Sequence, residues 1–440
     1  MHLAIAFSLV LVSAAQPNNP DNDAGRSQRK KEFRQRKDAL KGTTDPNPYC
    51  ELGDWALANN LLDEAKQVFE TAWGLKPGLD RARQGMNRLG YDSDDGKTLR
   101  PSREVVQRKR AALAANDADG RYQLSLYATN LGLKPEAQAL LEEALKVDPD
   151  HKPTRQILGF VRYYGQWLTL LEMDTRKRED LAWKNAVDAG RPPEETWAVL
   201  KPGGWAASLE EVRQVLAWAA GPTGVVQDRK LADPAFAGGE YSYGTPSLYR
   251  PWRKTPVIVF LHDGAADTGD GDDCLGAVHS LAGPRGYFTI CPTVLEKKQL
   301  GWSDERHVAY LKAILKEFSA AYNVDERRVY LAGHAMGGYG TWYLGSRMPK
   351  TFAALSAWSC AALDVKLEEL ANTPVYVLHS AKDPTVDVAR AREVVAKLVE
   401  KRSPHVYVEL DVETHAIPDA AQVKALEWFD RHALPAARKK

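Results

Sequence analysis

A nucleophile, an acid and a base in that chain order, each following its own buried strand, would form a triad for acyl transfer. This chain has all three positions, but one lacks its reactive side chain. The apolar run Val329-Tyr330-Leu331-Ala332 enters Gly333-His334-Ala335-Met336-Gly337-Gly338, which fits G-x-S-x-G everywhere except at its centre. Ala335 offers a methyl group there, with no lone pair to attack a carbonyl and no proton to surrender. Asp383, in the turn after Pro374-Val375-Tyr376-Val377-Leu378-His379, is the candidate acid. His415, after the alternating Val406-Tyr407-Val408-Glu409-Leu410, is the candidate base.

An acyl-transfer site also needs amides aimed at the developing oxyanion. One would come from Met336, the residue after the apex. The second would come from the turn that ends Pro256-Val257-Ile258-Val259-Phe260-Leu261-His262-Asp263-Gly264, at Asp263 or Gly264. A carboxylate at Asp263 faces the place where negative charge would build up and opposes it. No neighbour obviously replaces the lost hydroxyl. His334 is expected to point into the fold, and Ser356 and Ser359, around the next strand, have no evident reason to reach the apex.

These positions require a sheet. Short apolar runs separated by helical stretches predict an α/β fold with a doubly wound, mostly parallel sheet over residues 236–436. Gly333 and Gly337 flank the apex because strand and helix approach closely at such an elbow.

On these motifs, Leu261-His262-Asp263-Gly264, Gly333 to Gly340, His379-Ser380-Ala381-Lys382-Asp383 and His415, residues 236–436 resemble the α/β-hydrolase superfamily. Within it they look like phospholipase/carboxylesterase and polyhydroxybutyrate-depolymerase-like esterases. The resemblance implies ester hydrolysis by serine, aspartate and histidine, with no metal and no organic cofactor. Ala335 in place of serine and Asp263 in place of a glycine imply that the activity is lost, with the pocket kept for a small ester or acyl ligand or for scaffolding. Ser380 in place of a glycine in the acid turn is harmless on this reading. The rival readings are an active carboxylesterase and a protein-interaction module.

The interaction reading comes from the first half of the chain. Leu52-Gly53, Ala65, Phe69, Ala72 and Pro77 stand at tetratricopeptide-like positions, as do Gly132, Ala137, Leu141, Ala144 and Pro149 further on. Residues 47–170 therefore resemble an all-α helical-hairpin domain, a surface for a protein partner. A helical connector is expected over 171–235, with helices near Arg176 to Gly190 and Leu209 to Ala219. The basic run from Arg26 to Lys41 reads as a solvated linker or helix face within a polar segment, 16–46.

Leu3 to Val12 followed by Ser13-Ala14-Ala15 has the form of a signal peptide ending at about residue 15, which predicts export to the periplasm or beyond. The run is too short to span a bilayer. A net charge of +1 over 440 residues gives no general attraction for nucleic acid. The four cysteines, Cys50, Cys274, Cys291 and Cys360, contain no C-x-x-C. They do not suggest a zinc site. Cys274 and Cys291 could pair, and free thiols fit equally well.

Overall fold

In the computed structural model, residues 23–264, 269–295, 301–362 and 364–435 are described. The expected signal peptide, residues 1–15, lies outside them. The chain divides after Ile157 into two compact units, residues 1–157 and 158–440.

The first unit is helical. Helices Asn47–Ala58 and Leu62–Leu75 pack as a hairpin, as do Ala118–Asn130 and Lys134–Val147. Small residues let the helices close, with Ala56, Ala65, Ala72, Ala128 and Ala144 fully buried. Between the hairpins come helices Asp80–Arg88 and Ser102–Ala111 and a two-residue ladder pairing Tyr91–Asp92 with Arg100–Pro101. Of the two forms expected for the basic segment, solvated linker or helix face, Asp23–Asp38 takes the helical one. Phe33 anchors it in the core with Cys50, Val68 and Phe69. Among its cations, Lys30 pairs with Glu64 and the Arg36 guanidinium lies over the Trp55 ring.

The second unit opens with structure that the helical expectation missed. Phe160–Tyr163 and Gln166–Thr169 form a hairpin, with Tyr164 at φ 49° and Gly165 at φ 75° in its turn. Aromatic and β-branched residues on either side of a two-residue turn with positive φ favour a hairpin over a helix. Helices Leu170–Asp188, Pro193–Leu200 and Leu209–Ala219 follow, gathered around Trp183, Leu200, Val212 and Val215.

The sheet begins at Val225, inside the stretch expected to be a helical connector. Its eight strands are β1 (Val225–Lys230), β2 (Glu240–Gly244), β3 (Thr255–Leu261), β4 (Phe288–Pro292), β5 (Val324–His334), β6 (Ala354–Trp358), β7 (Val375–Ser380) and β8 (His405–Leu410). They lie side by side in the order 1-2-4-3-5-6-7-8. β1 and β2 run antiparallel to their neighbours, and β3 to β8 are parallel. β1 reads poorly as a strand because Gln227, Asp228, Arg229 and Lys230 give it the charged character of a sheet edge.

Both faces of the sheet are covered. Helices Arg306–Ala321, Met336–Arg347 and Ala389–Glu400 share one core with Val257, Val259, Leu331 and Val377. Helices Gly271–Ala282 and Asp419–Phe429 pack on the other face against Ile258, Phe260, Tyr330 and Leu378. The alternation of each strand sends its side chains to opposite cores, so the central strands are buried throughout. This is the doubly wound arrangement of an α/β-hydrolase, and it leaves the carboxyl ends of β3, β5, β7 and β8 at one edge.

Among the described residues, no helix is long and apolar enough to cross a membrane.

Candidate active site

Ala335 lies at the apex between β5 and the helix Met336–Arg347, with φ 49° and ψ −113°. A side-chain-bearing residue in that region is strained by about 1–3 kcal/mol and is held there by its surroundings. The surroundings are tight. A Cβ at Gly333 would lie 2.3 Å from the Gly337 carbonyl oxygen, and one at Gly337 would lie 1.9 Å from that of Leu261. The Ala335 amide donates to the Trp358 carbonyl at 3.0 Å, tying the apex to β6. The elbow is therefore fully built around a side chain that cannot react.

The two side chains expected to be acid and base, Asp383 and His415, are brought together. Nδ1 of His415 lies 3.0 and 2.9 Å from the two carboxylate oxygens of Asp383. Asp383 has no exposed side-chain surface, and the amides of Thr385 and Val386 donate to Oδ1 at 2.8 and 3.0 Å. Burial works against its charge. The Val386 amide, the His415 ring and the Thr385 amide outweigh that effect and hold the carboxyl below its ordinary range. A carboxylate at Nδ1 takes a proton on that nitrogen and leaves Nε2 as the basic one.

The turn after β3 is held by buried side chains. His262 Nδ1 lies 2.7 Å from the Asp263 carbonyl, and Nε2 accepts from the Val294 amide at 3.1 Å. Trp302 donates to the His262 carbonyl at 3.1 Å. Gly264 follows at φ 128°, a conformation that side chains disfavour.

His334 departs from expectation. Its ring does not enter the fold but turns into the site, with Nδ1 2.8 Å from Asp263 Oδ2 and Nε2 2.9 Å from the His415 carbonyl. Its centroid lies 4.6 Å from that of His415. Both partners accept hydrogen bonds, so the ring satisfies both only when each nitrogen carries a proton. His334 holds the Asp263 carboxyl below its usual range, against the opposing effect of burial. Asp263 is thus an anion bonded to His334 in the turn after β3, and half of its side-chain surface (53%) remains exposed.

Ser359 also reaches the site, though not the apex: its hydroxyl donates to the His415 carbonyl at 2.8 Å. Ser356 stays in the core, accepting from the Trp358 indole at 2.7 Å. Position in the chain hid the roles of His334 and Ser359, because both act on the backbone of a loop more than fifty residues away. Met336 begins the helix after the apex, which leaves its amide outside the helix's own bonding.

All four cysteines are free thiols. Burial raises the Cys274 thiol well above the ordinary range, and the adjacent Cys291 adds to this. Among the described residues, no group of three His, Cys, Asp or Glu is placed to hold a metal ion.

Residues 247–417 match the dienelactone hydrolase family model. None of the curated proteins compared with the chain matches it. Among solved structures, a thermostable esterase is 25% identical over 50% of this chain and 64% of its own, with a TM-score of 0.38. S-formylglutathione hydrolase from Staphylococcus aureus is 14% identical, covering 48% of this chain and 98% of its own, with a TM-score of 0.38. A ferulic acid esterase from Anaeromyces mucronatus is 13% identical over 48% and 90%, with a TM-score of 0.39. This chain spans less than two thirds of the thermostable esterase.

Proposed function

We propose that this is an exported α/β-hydrolase-fold protein of esterase type that no longer turns over esters and uses its elbow pocket to bind a small ester or acyl ligand. The supporting observation is the strained apex at Ala335, which lacks a nucleophilic atom, next in the chain to His334, whose ring meets the loop that carries the paired His415 and Asp383. On this reading Met336 and Gly264 supply the amides for a ligand carbonyl. Asp263, anchored by His334, takes the place where a working enzyme would keep neutral donors. Binding needs burial and a few placed polar groups, not turnover. Export to the periplasm or beyond rests on the apolar N-terminal run and the small residues after it.

The alternative of an active carboxylesterase needs a nucleophile near Nε2 of His415. Among the described residues the His415 ring hydrogen-bonds to Asp383, while Ser359 meets the backbone carbonyl instead. Water could be activated by the dyad. A site that has lost one triad member keeps roughly 10³ to 10⁴ over the uncatalysed rate, far below an efficient esterase.

A second role as a protein-interaction module is favoured by the two helical hairpins of the first unit and their small buried residues, which fit a tetratricopeptide-like reading. Binding of a short-chain acyl ester to the mature protein, without its consumption, tests the main proposal. Competition by acyl analogues that is lost in His415→Ala supports it, and multiple turnovers of the ester would count against it.

A further inference from the structure

The sheet carries a second concavity at its opposite edge. A cleft of about 770 Å³ opens where β3 and β5 begin, bounded by the hairpin turn at Tyr164, the loop before β3 and the turn before β4. β3 alone separates that edge from the His262 end by roughly 20 Å at the usual strand rise. The volume lies in the range of small-molecule sites.

One wall is fixed by a single buried carboxylate. Asp180 accepts from Tyr163 at 3.1 Å, from Trp252 at 2.9 Å and from Arg253 at 2.9 Å, and it pairs with Arg250 at 3.1 Å. The Arg250 guanidinium lies 3.5 Å from the Tyr164 ring centroid. A guanidinium held by a carboxylate and a ring face is ordered before any ligand arrives, so little entropy is lost on binding.

The cleft's charges do not cancel. Arg162 pairs with Asp430 and Arg328 with Asp325, each at 2.7 Å. Arg285 approaches Glu427 only to 4.0 Å. Arg176 and Lys254 also line the cleft, and among the described residues neither is in ion-pairing distance of a carboxylate, although Arg176 is near enough to Glu172 to help hold that carboxyl below its ordinary range. Among the described residues the lining thus keeps Arg176 and Lys254 outside any close ion pair, and Arg285, which donates to the Leu281 carbonyl at 3.0 Å, only distantly paired with a carboxylate.

From this arrangement we propose that the cleft is a second ligand site, taking a small organic polyanion with two or more carboxylate or phosphoryl groups. Arg176, Lys254 and Arg285 meet the anionic groups, while the Asp180-anchored arginines shape the wall. The site does not depend on the elbow, and its occupancy is independent of whether Ala335 has cost the protein its chemistry.

Isothermal titration of the full chain in low-salt, phosphate-free buffer tests this, with citrate and pyrophosphate as separate probes and acetate as the singly charged reference. Citrate binding assigns the carboxylate class and pyrophosphate binding the phosphoryl class, each expected about tenfold or more tighter than acetate. The double variant Arg176→Gln/Lys254→Gln, on accessible side chains, should weaken binding about tenfold or more, since each charge-assisted hydrogen bond is worth about that factor. Added salt should weaken it further, and His415→Ala should leave it unchanged. If neither probe binds below about 1 mM, or if the double variant binds as well as the parent, the proposal is overturned.

Discussion

The two edges of the sheet differ in how they are held. At the carboxyl edge, glycines pressed against carbonyls fix a strained turn, and hydrogen bonds lock His334, Asp263, His415 and Asp383 into one network. At the amino edge the cleft is open and its form depends on ion pairs around Asp180. The contrast is between a backbone conformation set by close packing and a surface shaped by charge pairs. The elbow's conformation belongs to Gly333, Gly337 and their neighbours and not to the side chain at position 335.

The strongest way to sharpen that contrast is to return the missing chemistry. Ala335→Ser alone restores a hydroxyl next to His415 but leaves the Asp263 carboxylate near the oxyanion. Adding Asp263→Gly should raise p-nitrophenyl acetate hydrolysis by about 10² over the single variant, the order of one oxyanion-hole contribution. Equal rates in the two variants would mean that Asp263 does not oppose the transition state.

Next in size is an attack on the packing. Gly337→Ala places a methyl against the Leu261 carbonyl and should destabilise the second unit by about 3 kcal/mol, the upper part of the overpacking range. Urea denaturation would report it as a lower midpoint at unchanged slope. An unchanged midpoint would show that the elbow can yield, contrary to the contrast drawn here.

The electrostatic lock is smaller and depends on pH. The Asp383 carboxyl titrates below its unfolded value when the chain is folded. Its contribution is therefore complete above the unfolded pKa of about 3.9 and is lost as pH falls through the depressed folded value. Asp383→Asn should be less stable than the parent at neutral pH, and the difference should shrink below about pH 4. A pH-independent difference would remove the charge from the account.

The smallest expected effect isolates backbone strain. Ala335→Gly relieves the positive φ and should stabilise the unit by about 1 kcal/mol, even after the greater entropy that glycine loses on folding. Chemical denaturation resolves a change of that size. Destabilisation would show that the methyl group packs more than it strains.

The elbow could be read from the sequence because its determinants are local. Gly333, Gly337 and the strand run before them lie within ten residues, and Asp383 and His415 each follow a run with strand periodicity. Residues that act through a distant backbone could not be read this way. His334 and Ser359 meet at the His415 carbonyl, and no spacing pattern records a carbonyl. The Phe160–Thr169 hairpin was obscured by helical surroundings, and β1 by the charges that suit an edge. The amino-edge cleft draws on residues from 162 to 430, a separation over which sequence patterning carries no signal.

Treatment of the purified protein with a fluorophosphonate probe, with p-nitrophenyl acetate turnover followed in the same samples, tests the central claim most directly. The missing hydroxyl at position 335 predicts no covalent label and turnover no greater than the residual rate of a site without its nucleophile, with labelling at residue 335 gained in Ala335→Ser/Asp263→Gly. Labelling of a serine in the unaltered chain, with esterase turnover abolished by His415→Ala, would contradict it.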